Sequence, residues 1–244
     1  MNFLADAAPA FHAYGAEHLT VLGIIVGFIT ILVWLTRHGW ERSARTLEIA
    51  LAVALLLCWP VNVLVAWQMG TLNATNSLPL QLCDLAAIIG GIALLKRGQE
   101  MCELLYFWGL AGTLQGLITP ALGVSWPHPR FIMFFILHGT VVAAALQTVI
   151  GRGIIPKRGA VRRAMGWIVV YALVAGAVDF VLVHIFHDNI NYGFLCAKPP
   201  TASLLDALGD WPWYLLWLVG VAAVFFSLLN LPFVIRQRRE GKKA

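Results

Sequence analysis

Two residues in this chain could do nucleophilic chemistry if the fold brings them within reach of each other. Cys83 stands in Leu-Pro-Leu-Gln-Leu-Cys-Asp and His138 in Phe-Phe-Ile-Leu-His-Gly. A histidine beside a thiol takes its proton, and the thiolate then attacks an ester carbonyl to give an S-acyl intermediate. Asp84 or Asp179 could orient the imidazole. Gln81, Gln115 and Asn191 are candidate donors to the oxygen that becomes negative. Arg130, in Pro-His-Pro-Arg, could meet a lipid phosphate. Lys198 shares with Asn191 the longest connection in the chain, from His187 to Trp213, and connections of that length are often binding elements. Each residue also has a structural reading: a membrane cysteine is a small packing residue, and a histidine or aspartate in lipid has to find some partner. Spacing alone does not choose between them.

The elements that must hold these side chains are membrane helices. Of 244 residues, 60% are hydrophobic and 12% charged, and mean hydropathy is +0.79. Those values exclude a soluble globular, coiled-coil or disordered chain. Seven segments reach the roughly 17 to 25 residues needed to cross as a helix. They are Leu19 to Leu35, Thr46 to Gln68, Leu78 to Leu95, Met101 to Thr119, Phe131 to Ile150, Met165 to Phe186 and Trp213 to Val234. Asn76-Ser77 with Pro79 reads as the cap and first turn of the third helix, and Pro120 as the stop of the fourth.

Every Lys and Arg except Arg130 and Lys198 falls on one side of this arrangement, so the positive-inside rule predicts N-terminus out and C-terminus in. The expected fold is therefore an all-α, seven-helix polytopic bundle forming a single domain. The net charge of +5 does not imply nucleic acid, because the basic residues lie at helix ends. The first eighteen residues hold no Lys or Arg, unlike a secretory leader, so the first apolar run reads as a retained helix. The four cysteines, Cys58, Cys83, Cys102 and Cys196, have no metal-ligand spacing, and no cofactor is predicted.

Depth along these helices brings the polar residues to one level. At 1.5 Å per residue, Cys83 lies roughly 7 to 8 Å below Leu78, His138 roughly 12 Å inside Arg130, and Asp179 roughly 10 Å from the outer end at Phe186. An ionisable side chain facing hydrocarbon costs roughly 2.5 to 3.5 kcal/mol, so Cys83, Asp84, Gln115, His138 and Asp179 are expected to share one outer-leaflet pocket between helices three to six. Polar residues in the inner half look scarce.

The strings LPLQLCDLAA, ITPAL, WPHPRF, FFILHG, NYGFLCAKP, ASLLDALGDWPWY and LPF, in order from about Leu78 to Pro232, resemble the bacterial YwaF-like integral membrane family, related to eukaryotic transmembrane protein 164. The eukaryotic relative is a cysteine-dependent acyltransferase that moves polyunsaturated acyl chains onto lyso-ether phospholipids. By motif position the resemblance implies Cys83 as nucleophile, His138 as base, membrane phospholipids as partners and a bacterial inner membrane location. The reading that follows is a lipid-modifying enzyme, by acyl transfer or ester hydrolysis, with Gln81, Asp84, Gln115, Arg130, Asp179, Asn191 and Lys198 in supporting or substrate-binding roles. A small-solute transporter or a heptahelical sensor would use the same polar residues without acyl chemistry.

Overall fold

The computed structural model describes residues 9–74, 76–186, 190–198 and 204–240; His187 and Asn189 lie outside them. The regular elements among the described residues are all helices: α1 Ala16–Arg37, α2 Glu41–Gln68, α3 Leu82–Lys96, α4 Gln99–Trp108, α5 Leu114–Ile118, α6 Pro129–Leu146, α7 Ala160–Phe186 and α8 Trp213–Glu240. Single π-turns follow α4 (Gly109–Thr113) and α6 (Gln147–Gly151), and short 3-10 turns stand at Tyr192–Phe194 and Leu204–Leu208. Five helices are long and apolar enough to cross a bilayer, and the protein is an all-α, multi-pass membrane protein. The chain divides into two compact units, residues 1–153 and 154–244.

Each apolar run read from the sequence contains a helix, but three of them differ in build from the expectation, the fifth because its last turn, Gln147–Gly151, is a π-turn. The fourth run, expected as one α-helix from Met101 to Thr119, is α4, a π-turn and α5 in direct succession. It stops at Ile118 because the residue before Pro120 is held out of the helical region; Thr119 has φ −125° and ψ 74°. The third run, expected from Leu78, becomes helical only at Leu82. With fifteen residues, α3 spans about 22 Å at 1.5 Å per residue and is shorter than the five helices long enough to cross. It lies inside the first unit, packed on α2, α4 and α6. Asp84, Ala86, Ala87, Gly90, Gly91, Ala93 and Leu94 are buried there. Gly91 sets the approach to α2, since a Cβ at that position would stand 2.6 Å from Cγ of Leu56.

The arginine-rich end of the first unit is organised around one carboxylate. Glu48, on α2, is 1% exposed. Its Oε1 accepts from Nε of Arg152 at 2.5 Å and from Nε2 of Gln147 at 2.7 Å. Its Oε2 accepts from Arg97 at 3.0 Å and from Arg45 at 3.3 Å. Gln147 also donates to the Thr36 hydroxyl on α1, Arg45 to the Leu94 carbonyl at the end of α3, and Arg152 to both oxygens of exposed Glu41. The sequence suggested few polar residues at this depth, and Glu48 with Gln147 corrects that. Both are in apolar runs and both are buried.

In the second unit α7 packs against α8. The loop between them is tied to α7 by Asp179, which is fully buried and accepts from the Tyr192 backbone N–H at 3.0 Å.

Removing Glu48 leaves several guanidinium groups without their shared anion. Glu48→Ala should therefore lower unfolding stability by about 3 to 5 kcal/mol, the scale for breaking a buried charge pair from one side. Glu41→Ala, at the exposed edge of the same cluster, should cost less than about 1 kcal/mol. Denaturant unfolding of the purified protein in detergent, followed by near-UV circular dichroism, checks the contrast.

Candidate functional site

Where α3 begins decides what surrounds Cys83. Pro79 has no N–H and biases Leu78 away from helical geometry, so residues 77–81 are bends before the helix proper. Asn76 is not the helix cap that the sequence suggested. It closes the preceding turn instead, accepting the Asn73 N–H on its side-chain oxygen at 2.9 Å and donating to the Thr71 carbonyl at 3.0 Å. The N-cap is Gln81, in extended geometry and without a side-chain cap bond. Asp84, the third helical residue, turns its carboxylate back to the Gln81 backbone N–H, which is half of a capping box. Cys83 is thereby the second residue of α3. First-turn N–H groups have no intrahelical acceptor and carry the positive end of the helix dipole, a setting suited to an anion. The sulfur's polar neighbours are the Asp84 carboxylate, the Thr113 hydroxyl and its own backbone N–H.

His138 is on α6, whose first turn is capped by His128. The His128 imidazole accepts the Arg130 N–H at 3.1 Å; burial, then the Arg130 charge, push its pKa below the ordinary histidine value, which keeps it an acceptor. Within the helix, Nδ1 of His138 is 2.8 Å from the Phe134 carbonyl, and the Phe134 ring stacks on the imidazole at 4.1 Å between centroids. A carbonyl only accepts, so Nδ1 carries the proton and Nε2 is left with its lone pair. The Nε2 edge meets Gly116, where a Cβ would stand 2.7 Å from Nε2 and 2.5 Å from Cδ2.

The fourth run therefore touches both partners with one face. Gly112 lies against Leu82 at the start of α3, with Cδ2 3.3 Å from the position of a Cβ; Thr113 neighbours the Cys83 sulfur, and Gly116, four residues on from Gly112, neighbours His138. Cys83 and His138 form a nearby pair. His138, Phe134 and Arg130 also line a cavity of about 260 Å³, together with Asn62 of α2, Met69 just after it, and Asn76. Cys83 is not among its lining residues. Arg130 is exposed, and its guanidinium makes no hydrogen bond or salt bridge among the described residues.

The remaining candidates fall into two groups. Gln81, Asp84, Gln115 and Arg130 are in the first unit with Cys83 and His138; Gln115 is partly buried and its side chain makes no hydrogen bond among the described residues. Asp179, Asn191 and Lys198 are in the second unit and gather around residues 190–198. The Asn191 amide accepts from the N–H groups of Cys196 and Ala197 and donates to the Ala197 carbonyl, which shapes the loop. Lys198 reaches Asp210 at 3.9 Å and sits 5.9 Å from the Tyr214 ring centroid. The Cys196 thiol donates to Asp179 at 3.7 Å. Its desolvation, then the Asp179 charge, push that thiol above the ordinary cysteine range, so Cys196 is a poor rival nucleophile.

Thr113 and Gly116 were not singled out from the sequence. Their one local signal is the pair of glycines at helical spacing, Gly112 and Gly116, which marks a face made for close approach.

The model of the TMEM164 family matches residues 13–230, a range that contains every site residue described above. No match was found among the curated proteins or among the solved structures.

Gly116→Ala places a methyl group against the imidazole, and the ring can yield only by giving up its bond to the Phe134 carbonyl. The variant should fold but slow alkylation of Cys83 by iodoacetamide about tenfold or more, because the base moves away from the thiol. Peptide mass spectrometry over a time course measures it. An unchanged rate would mean that His138 does not act on Cys83.

Proposed function

The chain belongs to the TMEM164 family, and on that premise we propose that it is a membrane enzyme that transfers or hydrolyses acyl groups of phospholipids, with Cys83 as nucleophile and His138 as base. The observation that carries the reading is the tautomer of His138: Nδ1 is committed to the Phe134 carbonyl, so the free lone pair is on Nε2, the nitrogen at the helix face that also borders Cys83. A cysteine in the first turn of a helix next to a histidine held in that form is the arrangement that thiol acyl transfer requires.

The steps follow from these groups. Nε2 takes the thiol proton as the sulfur attacks the acyl carbonyl carbon, forming the S–C bond and placing negative charge on the carbonyl oxygen. The N–H groups of the α3 first turn are the nearest source of hydrogen bonds for that charge, with Gln81 and Gln115 as side-chain candidates. Collapse breaks the ester C–O bond, the alkoxide leaves with its electron pair, and the imidazolium returns the proton to it. The products are an acyl thioester on Cys83 and a lysophospholipid. In the second half His138 takes a proton from an acceptor alcohol, whose oxygen attacks the thioester, and the thiolate leaves and is reprotonated. Water in place of the alcohol makes the same sequence a hydrolysis. Asp84 orients the start of α3 in this reading, and Arg130 at the cavity meets the lipid phosphate.

The frame proposed for this chemistry is seven crossings, counting α3 and the α4–α5 run with the five longer helices, with the N-terminus outside and the C-terminus inside a bacterial inner membrane. The outward-facing half then carries Cys83, His138 and Arg130, while the Glu48 cluster lies on the inner side. Asp179, Asn191 and Lys198 serve on the same outer side as supporting residues.

Purified protein incubated with phospholipid labelled in its acyl chain should acquire the label at Cys83. Cys83→Ala should abolish the adduct and turnover, and His138→Ala should slow adduct formation by roughly 100-fold or more. Turnover that survives Cys83→Ala would overturn the cysteine mechanism. A reporter fused to the C-terminus and active only outside the cytoplasm should be silent.

A further inference from the structure

Every described threonine but one donates its hydroxyl hydrogen to a backbone carbonyl. Thr20, Thr30, Thr36, Thr46, Thr119 and Thr140 each bond the carbonyl four residues back, Thr71 the one five back and Thr148 the one three back. This is the usual way for a threonine to be satisfied in an apolar helix. Thr113 is the exception: its side chain is buried, and its Oγ makes no hydrogen bond.

The π-turn accounts for it. Thr113 is the last residue of Gly109–Thr113, where the backbone register lengthens to i→i+5. The carbonyl four residues behind Thr113 belongs to Gly109, and in this turn it is aligned on the N–H of Leu114, one residue further along than in an α-helix. The wider turn shifts the customary acceptor, and the buried hydroxyl makes no hydrogen bond to it. Burying an unpaired hydroxyl is costly, so its retention calls for a partner that forms at some stage. The Cys83 sulfur is next to it, and the close approach of Gly112 to Leu82 brings the two backbones together at this point.

We propose that Thr113 is the hydrogen-bond donor to the Cys83 sulfur anion, held free by the π-turn until His138 has removed the thiol proton. The inference rests on the Cys83 and His138 reading given above and adds a third group to it. No atom of Thr113 is transferred: its O–H turns toward sulfur when the negative charge appears there and releases it when the S–C bond forms. A charge-assisted donor of this kind favours the thiolate without competing with the imidazole for the thiol proton.

The test is the rate at which iodoacetamide alkylates Cys83 in the full chain in detergent, followed at the Cys83 peptide by mass spectrometry, for Thr113, Thr113→Val and Thr113→Ser. Valine keeps the shape and loses the hydroxyl; serine keeps the hydroxyl and loses the methyl. Thr113→Val should react about tenfold more slowly, the scale for a hydrogen bond to a charged group, and Thr113→Ser should stay within about twofold of the parent. Should the valine variant fail to fold, Thr113→Ala takes its place in the comparison. Equal rates for threonine and valine, or serine as slow as valine, would overturn the proposal, since the hydroxyl would then be idle or the methyl would be what matters. The expected alkylation pattern with no acyl adduct from any phospholipid would remove the acyl-transfer reading and leave Thr113 as the thiolate donor. An acyl adduct forming at the same rate with and without the hydroxyl would do the reverse.

Discussion

A carboxylate buried among membrane helices has to be surrounded by donors, and in this protein Glu48 is that carboxylate. Four donors reach its two oxygens, and they come from α2 itself, from the α3–α4 connection and from the π-turn after α6, with α1 linked through Gln147 and Thr36. Desolvating a charge without such partners costs several kcal/mol, so the helices cannot separate at this end without exposing that cost. The cluster fixes how α2, α3 and α6 stand relative to one another. Cys83, at the far end of α3, and His138, in the middle of α6, are on two of these three helices, so the ion cluster helps to hold them near each other.

Regular helix is interrupted twice near the candidate site, and both interruptions change what surrounds Cys83. Had α3 started at Leu78, Cys83 would be a mid-helix residue with its N–H committed to a carbonyl. Starting at Leu82 turns the same sulfur into a first-turn group. Had the fourth run been α-helical throughout, Thr113 would bond Gly109 as the other threonines bond their own helices. The π-turn instead aligns that carbonyl on the N–H of Leu114. The non-helical stretch before α3 is only partly enclosed by the protein: Leu78 is exposed and Ser77, Pro79, Leu80 and Gln81 are half-buried.

How much of this could be read from residues alone differs from feature to feature. Apolar runs of sufficient length point to helices without knowledge of neighbours, so each run contains one. Cys83 and His138 stood out because reactive side chains in apolar runs are costly. The start of α3 was misjudged because proline is welcome in a first helical turn and equally able to precede one, and Asn76 fits a cap as well as a turn. Nothing local separates those outcomes; the bonds from Asn76 to Asn73 and Thr71 do. Glu48 stands three residues into the apolar run as drawn from the sequence, where a charge passes for an interfacial one. Its burial depends on Arg97 and Arg152, which are distant in the chain. The freedom of Thr113 is still less legible, since a π-turn shifts hydrogen bonds without any residue type that demands it.

The shortness of α3 bears on how the protein is made. With fifteen residues and a carboxylate in its first turn, α3 is a weak candidate to settle in lipid as an independent segment. What it has instead is a glycine face shaped to Leu56 and Ala52 of α2, a helix that leaves the ribosome before it. The earlier helix thus serves as the receiving surface on which the later one is stored while synthesis continues. For that interval the thiol sits at its post beside an unfinished wall. The imidazole comes with α6, about fifty-five residues further along the chain, so the Cys83 and His138 pair is complete only after α6 has been made.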